Sequence, residues 1–287
     1  MNKRMAAGLI LLALLLTLCG CNRAQETSIT VMSQNLRVDS SSDGEDNNVF
    51  YRSDRLIWLL EQYRPDVVGM QEYTSNWDFM LTDFLEESDY QIVFEYRAHG
   101  DQEATPILYN AKKLELESTE FFWLSETPEQ ESPSWDDGEG RRCRIATECV
   151  FKEKSTGIRF VHINTHFGLT TLSQSGGGAL IHQRVKEKYA DMPVFVTGDF
   201  NCQEGSEGYR NITEDGLLTD SFLLAEEFGN ICGTFNGFKD DGGSAVIDFI
   251  FVTEKVSPGY YSVLNEKPEG KFVSDHFAVL TRNTVSR

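Results

Sequence analysis

Several apolar, β-favouring stretches of this chain end in, or enclose, the same few polar residue types. Asn35 follows "TVMSQ", Glu72 follows "VVGMQ", His166 follows "FVHINT", and Asp199 and Asn201 close "VFVTGDFN". Asp248 lies inside "AVIDFIF", and Asp275 with His276 precedes "FAVL". A single such residue is a turn or a cap. A set drawn only from Asn, Glu, His and Asp points instead to one shared polar cleft. A carboxylate with an amide nearby suits Mg2+, which takes oxygen ligands and keeps several waters. Two histidines with carboxylates to orient them suit proton transfer near neutral pH. Asp199 could accept a proton from an attacking water while Asn201 donates a hydrogen bond to an anionic oxygen. These parts fit metal-assisted hydrolysis of a phosphate ester.

Strands must carry most of these residues. "SITVMSQNL" alternates Ile29, Val31 and Ser33, and "DVVGMQEY" reads as a short buried strand ending in a carboxylate. Between them "SDRLIWLLEQY" places Leu56, Leu59, Leu60 and Tyr63 on one helical face, with Ser53 as cap and Pro65 as stop. "KLELESTEFFWL" and "CRIATECVFKEKSTGIRFVHINTH" are strands, the second stretch turning at "KSTG". "MPVFVTGDFN", "AVIDFIFVT", "YYSVLN" and "FAVLTRN" add four more, and "HQRVKEKYA" predicts a helix. Two stretches read as long loops: residues 125–140, with six carboxylates, and the Gly/Ser/Thr-rich "GLTTLSQSGGGAL". If the acidic loop borders the cleft, its charge repels polyanions.

A length of 287 residues with 40% hydrophobic content suits one large or two small domains with a proper core. The start of the chain differs: Lys3 and Arg4 precede "GLILLALLLTL" and then Leu18, Cys19, Gly20 and Cys21. A basic head and a short apolar run before small residues form a secretory signal, and the final four residues resemble a bacterial lipoprotein box. Residues 1–21 are therefore expected to be a signal peptide, with Cys21 lipidated; a plain signal peptide and an uncleaved anchor are the alternatives. Residues 22–28 would be a tether and 29–287 the catalytic domain, working outside a bacterial cytoplasm on a membrane anchor.

Four cysteines remain. Cys143 and Cys149, if on one strand, lie roughly 20 Å apart, too far for a bridge. Cys202 with Cys232 stays open, and no cysteine cluster resembles a zinc site. The net charge of −19 makes long nucleic acid a weak first guess as substrate, since proteins that grip its backbone display a basic face.

"SQNLR", "PDVVGMQEY", "NTHFG", "GDFN", "IDFIFV" and "SDH" occur in the order and rough spacing of the endonuclease/exonuclease/phosphatase superfamily, from about Ile29 to Leu280. "EATPILYN", "FFWLSETP", "CRIAT" and "GTFNGF" further resemble a bacterial secreted branch of it. The resemblance implies a four-layer α/β sandwich of two packed mixed sheets flanked by helices, with a cleft at one end of the sheets. It makes Glu72 the principal ligand of Mg2+, or of Mn2+ in its place, with Asn35 beside it and Asp275 completing the metal site. Asp199 would orient or deprotonate the water, and Asn201 would hold a phosphoryl oxygen. His276 would stand nearest the scissile phosphate, oriented by Asp248, and His166 would bind phosphate or act as a second acid, with Glu103 as its partner. Arg144 is a candidate clamp for a phosphoryl oxygen or, alternatively, one half of a surface ion pair. Trp123, Trp135 and His182 read as packing or ordinary helix residues. Unlike many relatives, the chain follows its "NTH" histidine with Gly168 rather than an acidic residue, which alters the expected substrate contacts.

The expected enzyme is a monomeric phosphoesterase acting on a small or lipid-linked phosphodiester by in-line attack of water. An extracellular nuclease is the alternative within the class, since divalent ions screen an acidic surface. A binding lipoprotein that has lost its chemistry would need a missing catalytic residue, and none is missing.

Overall fold

Apolar side chains that alternate along strands demand two covers, one on each face, and the chain supplies both. The computed structural model describes residues 25–136 and 142–287. Its first half runs β1 (Glu26–Asn35), α1 (Val49–Tyr63), β2 (Val67–Gln71), β3 (Tyr73–Thr74), α2 (Ser75–Glu87), β4 (Tyr90–Val93), β5 (Tyr96–Ala98), β6 (Asp101–Ala104), β7 (Ile107–Asn110) and β8 (Leu114–Trp123). The second half runs β9 (Ile145–Glu153), β10 (Arg159–His166), α3 (Thr171–Lys188), β11 (Val194–Asp199), α4 (Glu207–Ile212), β12 (Thr219–Asp220), α5 (Ser221–Leu224), β13 (Glu227–Phe228), β14 (Asp248–Val252), β15 (Val256–Leu264) and β16 (Ala278–Ser286).

Seven strands form one sheet in the order β13-β15-β16-β1-β2-β7-β4, and six form another, β12-β14-β11-β10-β9-β8. Both are mixed: β1 is parallel to β2 and antiparallel to β16, while β10 is parallel to β11 and antiparallel to β9. Ile29 and Val31 of β1 pack with Phe160, Phe195 and Ile250 in the apolar layer between the sheets. Met32 and Val68 join Leu56, Leu59 and Trp77 of the helices outside, as the period of two requires. On the far side Ile163, Val196 and Phe251 meet Ile181 and Val185 of α3. The result is the four-layer α/β sandwich expected from the sequence. A small third sheet, β3-β6-β5, flanks one end.

The two large sheets approach each other closely at Gly69. A Cβ there would sit 2.0 Å from Thr197 Oγ1 and 2.4 Å from Asn164 Oδ1. Asn164 donates from Nδ2 to the carbonyls of Met70 and Pro106 and accepts from Gln71 and Thr197, so it ties β10 to β2 across the gap.

Three local expectations are corrected. Helix α1 begins before Ser53: Asn48 is the cap, its Oδ1 accepting from the Tyr51 N–H at 3.2 Å, and Ser53 lies inside the helix. Strand β1 begins at Glu26, so residues 26–28 of the expected tether pair with β16. Most of "GLTTLSQSGGGAL" is not a loop but the first half of α3, capped by Thr170. Its glycines answer to packing: a Cβ would be 2.6 Å from the Trp135 ring at Gly176 and 2.4 Å from the Gly208 carbonyl of α4 at Gly178. Close approach outweighs the helix cost of glycine, about 1 kcal/mol per residue. Cys149, Cys202 and Cys232 are free thiols. Cys21 and the expected signal lie outside the described residues.

Candidate active site

Strand register gathers the polar residues read from the sequence. Parallel β10 and β11 end level, with His166 opposite Asp199, and antiparallel β14 sets Asp248 opposite Asp199 from the other side. In the facing sheet β1 ends at Asn35, opposite Gln71, the residue before Glu72. Between these ends lies a cleft of about 640 Å3 bordered by Glu72, Glu103, Arg144, His166, Asp199, Asn201, Asp275 and His276. Asn35 and Asp248 are buried directly behind it, at 0% and 1% exposure.

On one flank the His276 Nδ1 pairs with Asp248 Oδ2 at 2.8 Å, and its Nε2 stands 3.7 Å from Asp199 Oδ2. Burial opposes charge on this ring, but the carboxylates of Asp248, Asp199 and Asp275 outweigh it and hold His276 protonated well above the usual histidine range. Burial, followed by repulsion from Asp248, raises the Asp199 carboxyl. Asp199 Oδ1 accepts from the Asn201 N–H and Oδ2 from Asn35 Nδ2, both at 2.9 Å. The Phe235 ring meets His276 edge to face at 5.0 Å.

The other flank is lined by arginines. His166 Nε2 lies 3.6 Å from Asp199 Oδ2 and its Nδ1 3.7 Å from Glu103 Oε1, both longer than hydrogen bonds. Nδ1 is buried without a partner. Burial, then the charges of Arg144 and Arg97, lower this imidazole well below its usual range. Glu103, expected to orient His166, instead accepts from Arg97 Nη1 at 2.5 Å. Burial pushes Glu103 up to about 7 against the pull of Arg97.

Between the flanks sits an oxygen-rich group. Glu72 Oε1 accepts from Asn35 Nδ2 at 3.2 Å and Oε2 from the Val38 N–H at 2.8 Å. Burial raises the Asp275 carboxyl, and the nearby Glu72 charge adds to the rise. Carboxylates crowded into mutual repulsion fit a hard divalent cation. Asp199, Asp248 and His276 also bring ligand atoms within 4.8 Å of one another. Glu72 and Asp275 add a second group of oxygen donors on the same cleft. Asn35 stands beside Glu72: its Oδ1 accepts from the Arg37 N–H, and its Nδ2 bridges Glu72 and Asp199.

Arg37 is a residue the sequence reading passed over, although it closes the quoted "SQNLR". Its Nε donates to Asp43 at 2.9 Å and lies 3.6 Å from Asp275, so its guanidinium stands among the acids. Its loop is clamped from behind by buried Arg52, which donates to the carbonyls of Leu36, Arg37 and Val38, and by Trp77 Nε1, which donates to the Arg37 carbonyl. Arg37, Glu72, Asn201 and Phe238 all line the cleft and all have positive φ, between 49° and 61°. Strain gathered at one site marks a geometry that the surroundings impose. Arg97, Asp43 and Phe235 were also missed; no apolar period frames them. Trp123 donates to the Arg97 carbonyl, Trp135 covers Gly176, and His182 in α3 pairs with Asp215, all as packing or helix residues. Residues 125–136 of the acidic loop do not border the cleft.

A family model described as "Endonuclease/Exonuclease/phosphatase family" matches residues 32–276. An endonuclease/exonuclease/phosphatase structure from Bacteroides vulgatus is 31% identical, with a TM-score of 0.83 over 91% of this chain and 100% of its own. A mannosyl-6-phosphatase of Bacteroides thetaiotaomicron is 28% identical, with a TM-score of 0.81 over 89% and 99%. An uncharacterized protein of Acanthamoeba polyphaga mimivirus is 30% identical over 190 residues, 64% of this chain; the match spans 66% of that protein's length, just under two thirds.

Proposed function

The chain belongs to the endonuclease/exonuclease/phosphatase family of metal-dependent phosphoester hydrolases, and from that premise we propose that it hydrolyses a small phosphate ester, with Mg2+ held by Glu72 and Asp275 and Mn2+ able to replace it. The observation that carries this reading is the position of Asp199. Its Oδ2 stands 3.6 Å from His166 Nε2 and 3.7 Å from His276 Nε2, in a cleft shared with Glu72 and Asp275. A divalent cation supplies positive charge against the phosphoryl oxygens as charge develops on them.

The chain's own residues do the rest. Asp199, fixed by Asn35 and the Asn201 amide, aims a water and takes its proton. Protonated His276, held by Asp248, donates from Nε2 to a phosphoryl oxygen. Asn201 and Arg144 border the same space and supply further donors. Neutral His166 contacts the ester oxygen on the arginine side, and as the P–O bond breaks the departing oxygen takes up the proton that Asp199 drew from the water.

A cleft of about 640 Å3 suits a small molecule, and a net charge of −19 disfavours a polyanion. The similarity to a mannosyl-6-phosphatase supports a compact phosphorylated substrate. A lipid-linked diester and an anchor at Cys21 extend the proposal, the latter supported by "LCGC" alone. The test is hydrolysis of p-nitrophenyl phosphate, bis-p-nitrophenyl phosphate, sphingomyelin and plasmid DNA with Mg2+, Mn2+ or EDTA, beside His276→Ala. Metal-dependent turnover of a small ester, lost in the variant, is the expected result. Preferential cleavage of DNA would replace the reading with a nuclease.

A further inference from the structure

A second chamber of about 600 Å3 opens beside the cleft. Val38, Arg97, Glu103 and Arg142 border both spaces, so whatever fills one reaches the edge of the other. The two walls differ in chemistry. The cleft carries Phe235, Phe238 and Leu169 along with its charges. Among the described residues the chamber is walled by Asp39, Thr74, Ser75, Asn76, Asp101 and Gln102, with no aromatic side chain and Val38 as its one apolar side chain.

Register explains how these residues come together. Strand β3 pairs with β6 so that Thr74 lies opposite Glu103, and the chain then turns directly into α2, whose first residues are Ser75 and Asn76. One strand edge and one helix start thus deliver hydroxyls and an amide to the same wall. Ser75 Oγ donates to Gln102 Oε1 at 2.7 Å, whereas its two neighbours are less committed. Thr74, the residue capping α2, makes no capping hydrogen bond, and its Oγ1 is buried without a partner. Asn76 Nδ2 reaches Asp39 only at 3.4 Å. Leaving a shielded hydroxyl unpaired is costly, and a ligand that reaches it with a hydrogen bond removes that cost.

The charge pattern narrows the ligand. Arg97 already donates to Asp101 and Glu103, at 2.8 and 2.5 Å, and Asp39 adds a negative group. With three carboxylates set beside Arg97 and Arg142, a second phosphate is poorly served there. A nucleobase finds no ring to stack on, and an acyl chain finds no apolar side chain besides Val38. Hydroxyl, amide and carboxylate groups set close together match a partner that offers many alternating donors and acceptors of its own. We propose that this chamber binds the alcohol portion of the ester, and that this portion is polyhydroxylated: a sugar or polyol carrying a single phosphate. The proposal rests on the phosphoesterase reading above and adds to it the class of the substrate's alcohol.

The experiment compares kcat/KM for glucose 6-phosphate, mannose 6-phosphate, p-nitrophenyl phosphate and octyl phosphate in the wild type, Thr74→Val and Asn76→Ala. Each protein is first checked for a wild-type melting temperature. At least one hexose phosphate should exceed both the aryl and the alkyl ester. Each substitution should lower the ratio of hexose to aryl kcat/KM about tenfold, through KM rather than kcat, because a site built for a hydroxyl discriminates strongly once its partner is lost. A wild type that favours the aryl or octyl ester overturns the proposal, as does a ratio that neither substitution moves. If the wild type hydrolyses no ester at all, the phosphoesterase reading fails, and calorimetric titration with the two hexose phosphates decides the chamber separately. Binding weakened in Asn76→Ala supports it, and absence of binding to the wild type overturns it.

Discussion

Two histidines stand equally buried on opposite flanks of one carboxylate, yet their surroundings push them apart. Around His276 the neighbours are Asp248, Asp199 and Asp275, and the ring is held as a cation against the cost of burial. Around His166 they are Arg144 and Arg97, which reinforce burial and keep the ring neutral. The same side chain is thus a fixed positive donor in one place and a neutral hydrogen-bonding partner in the other. Environment assigns the role, and Asp199 between them can serve as the site's base because its own proton affinity is raised.

The strongest way to break this contrast is Asp248→Asn. It removes the carboxylate 2.8 Å from His276 Nδ1. The expected loss in kcat is about a thousandfold with folding intact, by analogy with losses when an orienting carboxylate is replaced. The His276 ring resonances should then titrate at lower pH than in the wild type. His166→Ala should cost less, about a hundredfold in kcat, the range of one proton-transfer or hydrogen-bonding group. Arg97→Met sharpens the comparison from the other side: with one repelling cation gone, His166 should titrate at higher pH by NMR, and activity should fall about tenfold as Glu103 loses its partner.

The smallest effect comes from a third histidine that belongs to neither flank. His162 is wholly buried, 2.7 Å from Thr197 Oγ1, and burial lowers it to about 3. A folded-state pKa below the unfolded value gives stability that is present above about pH 6.5 and is lost as pH falls toward 3, at up to about 1.4 kcal/mol per pH unit. The melting temperature of His162→Asn should therefore decline less steeply with acid than that of the wild type.

Much of the site was legible because polar residues at the ends of apolar strands have few structural uses. Asp199, Asn201, Asp248 and His276 were found on that ground, and the register brings them together. Arg37 and Arg97 gave no such signal, since an arginine beside a strand is ordinary until its partners are known. Asn35 could be placed but not given its task, which depends on Glu72 and Asp199 arriving from two different sheets. The glycines of α3 misled for the same reason: "SGGG" reads as flexible until Trp135 and Gly208 are seen pressed against it. In each case the missing information was a contact made far along the chain.

The close approach at Gly69 carries a consequence for how activity emerges during folding. Glu72 lies three residues beyond it, just past the end of β2 in the first sheet, whereas His166 and Asp199 belong to the second. Neither sheet alone holds a working set. Signals from secondary structure can therefore return before the enzyme does, and recovery of turnover in a refolding experiment would time the moment at which the two sheets dock.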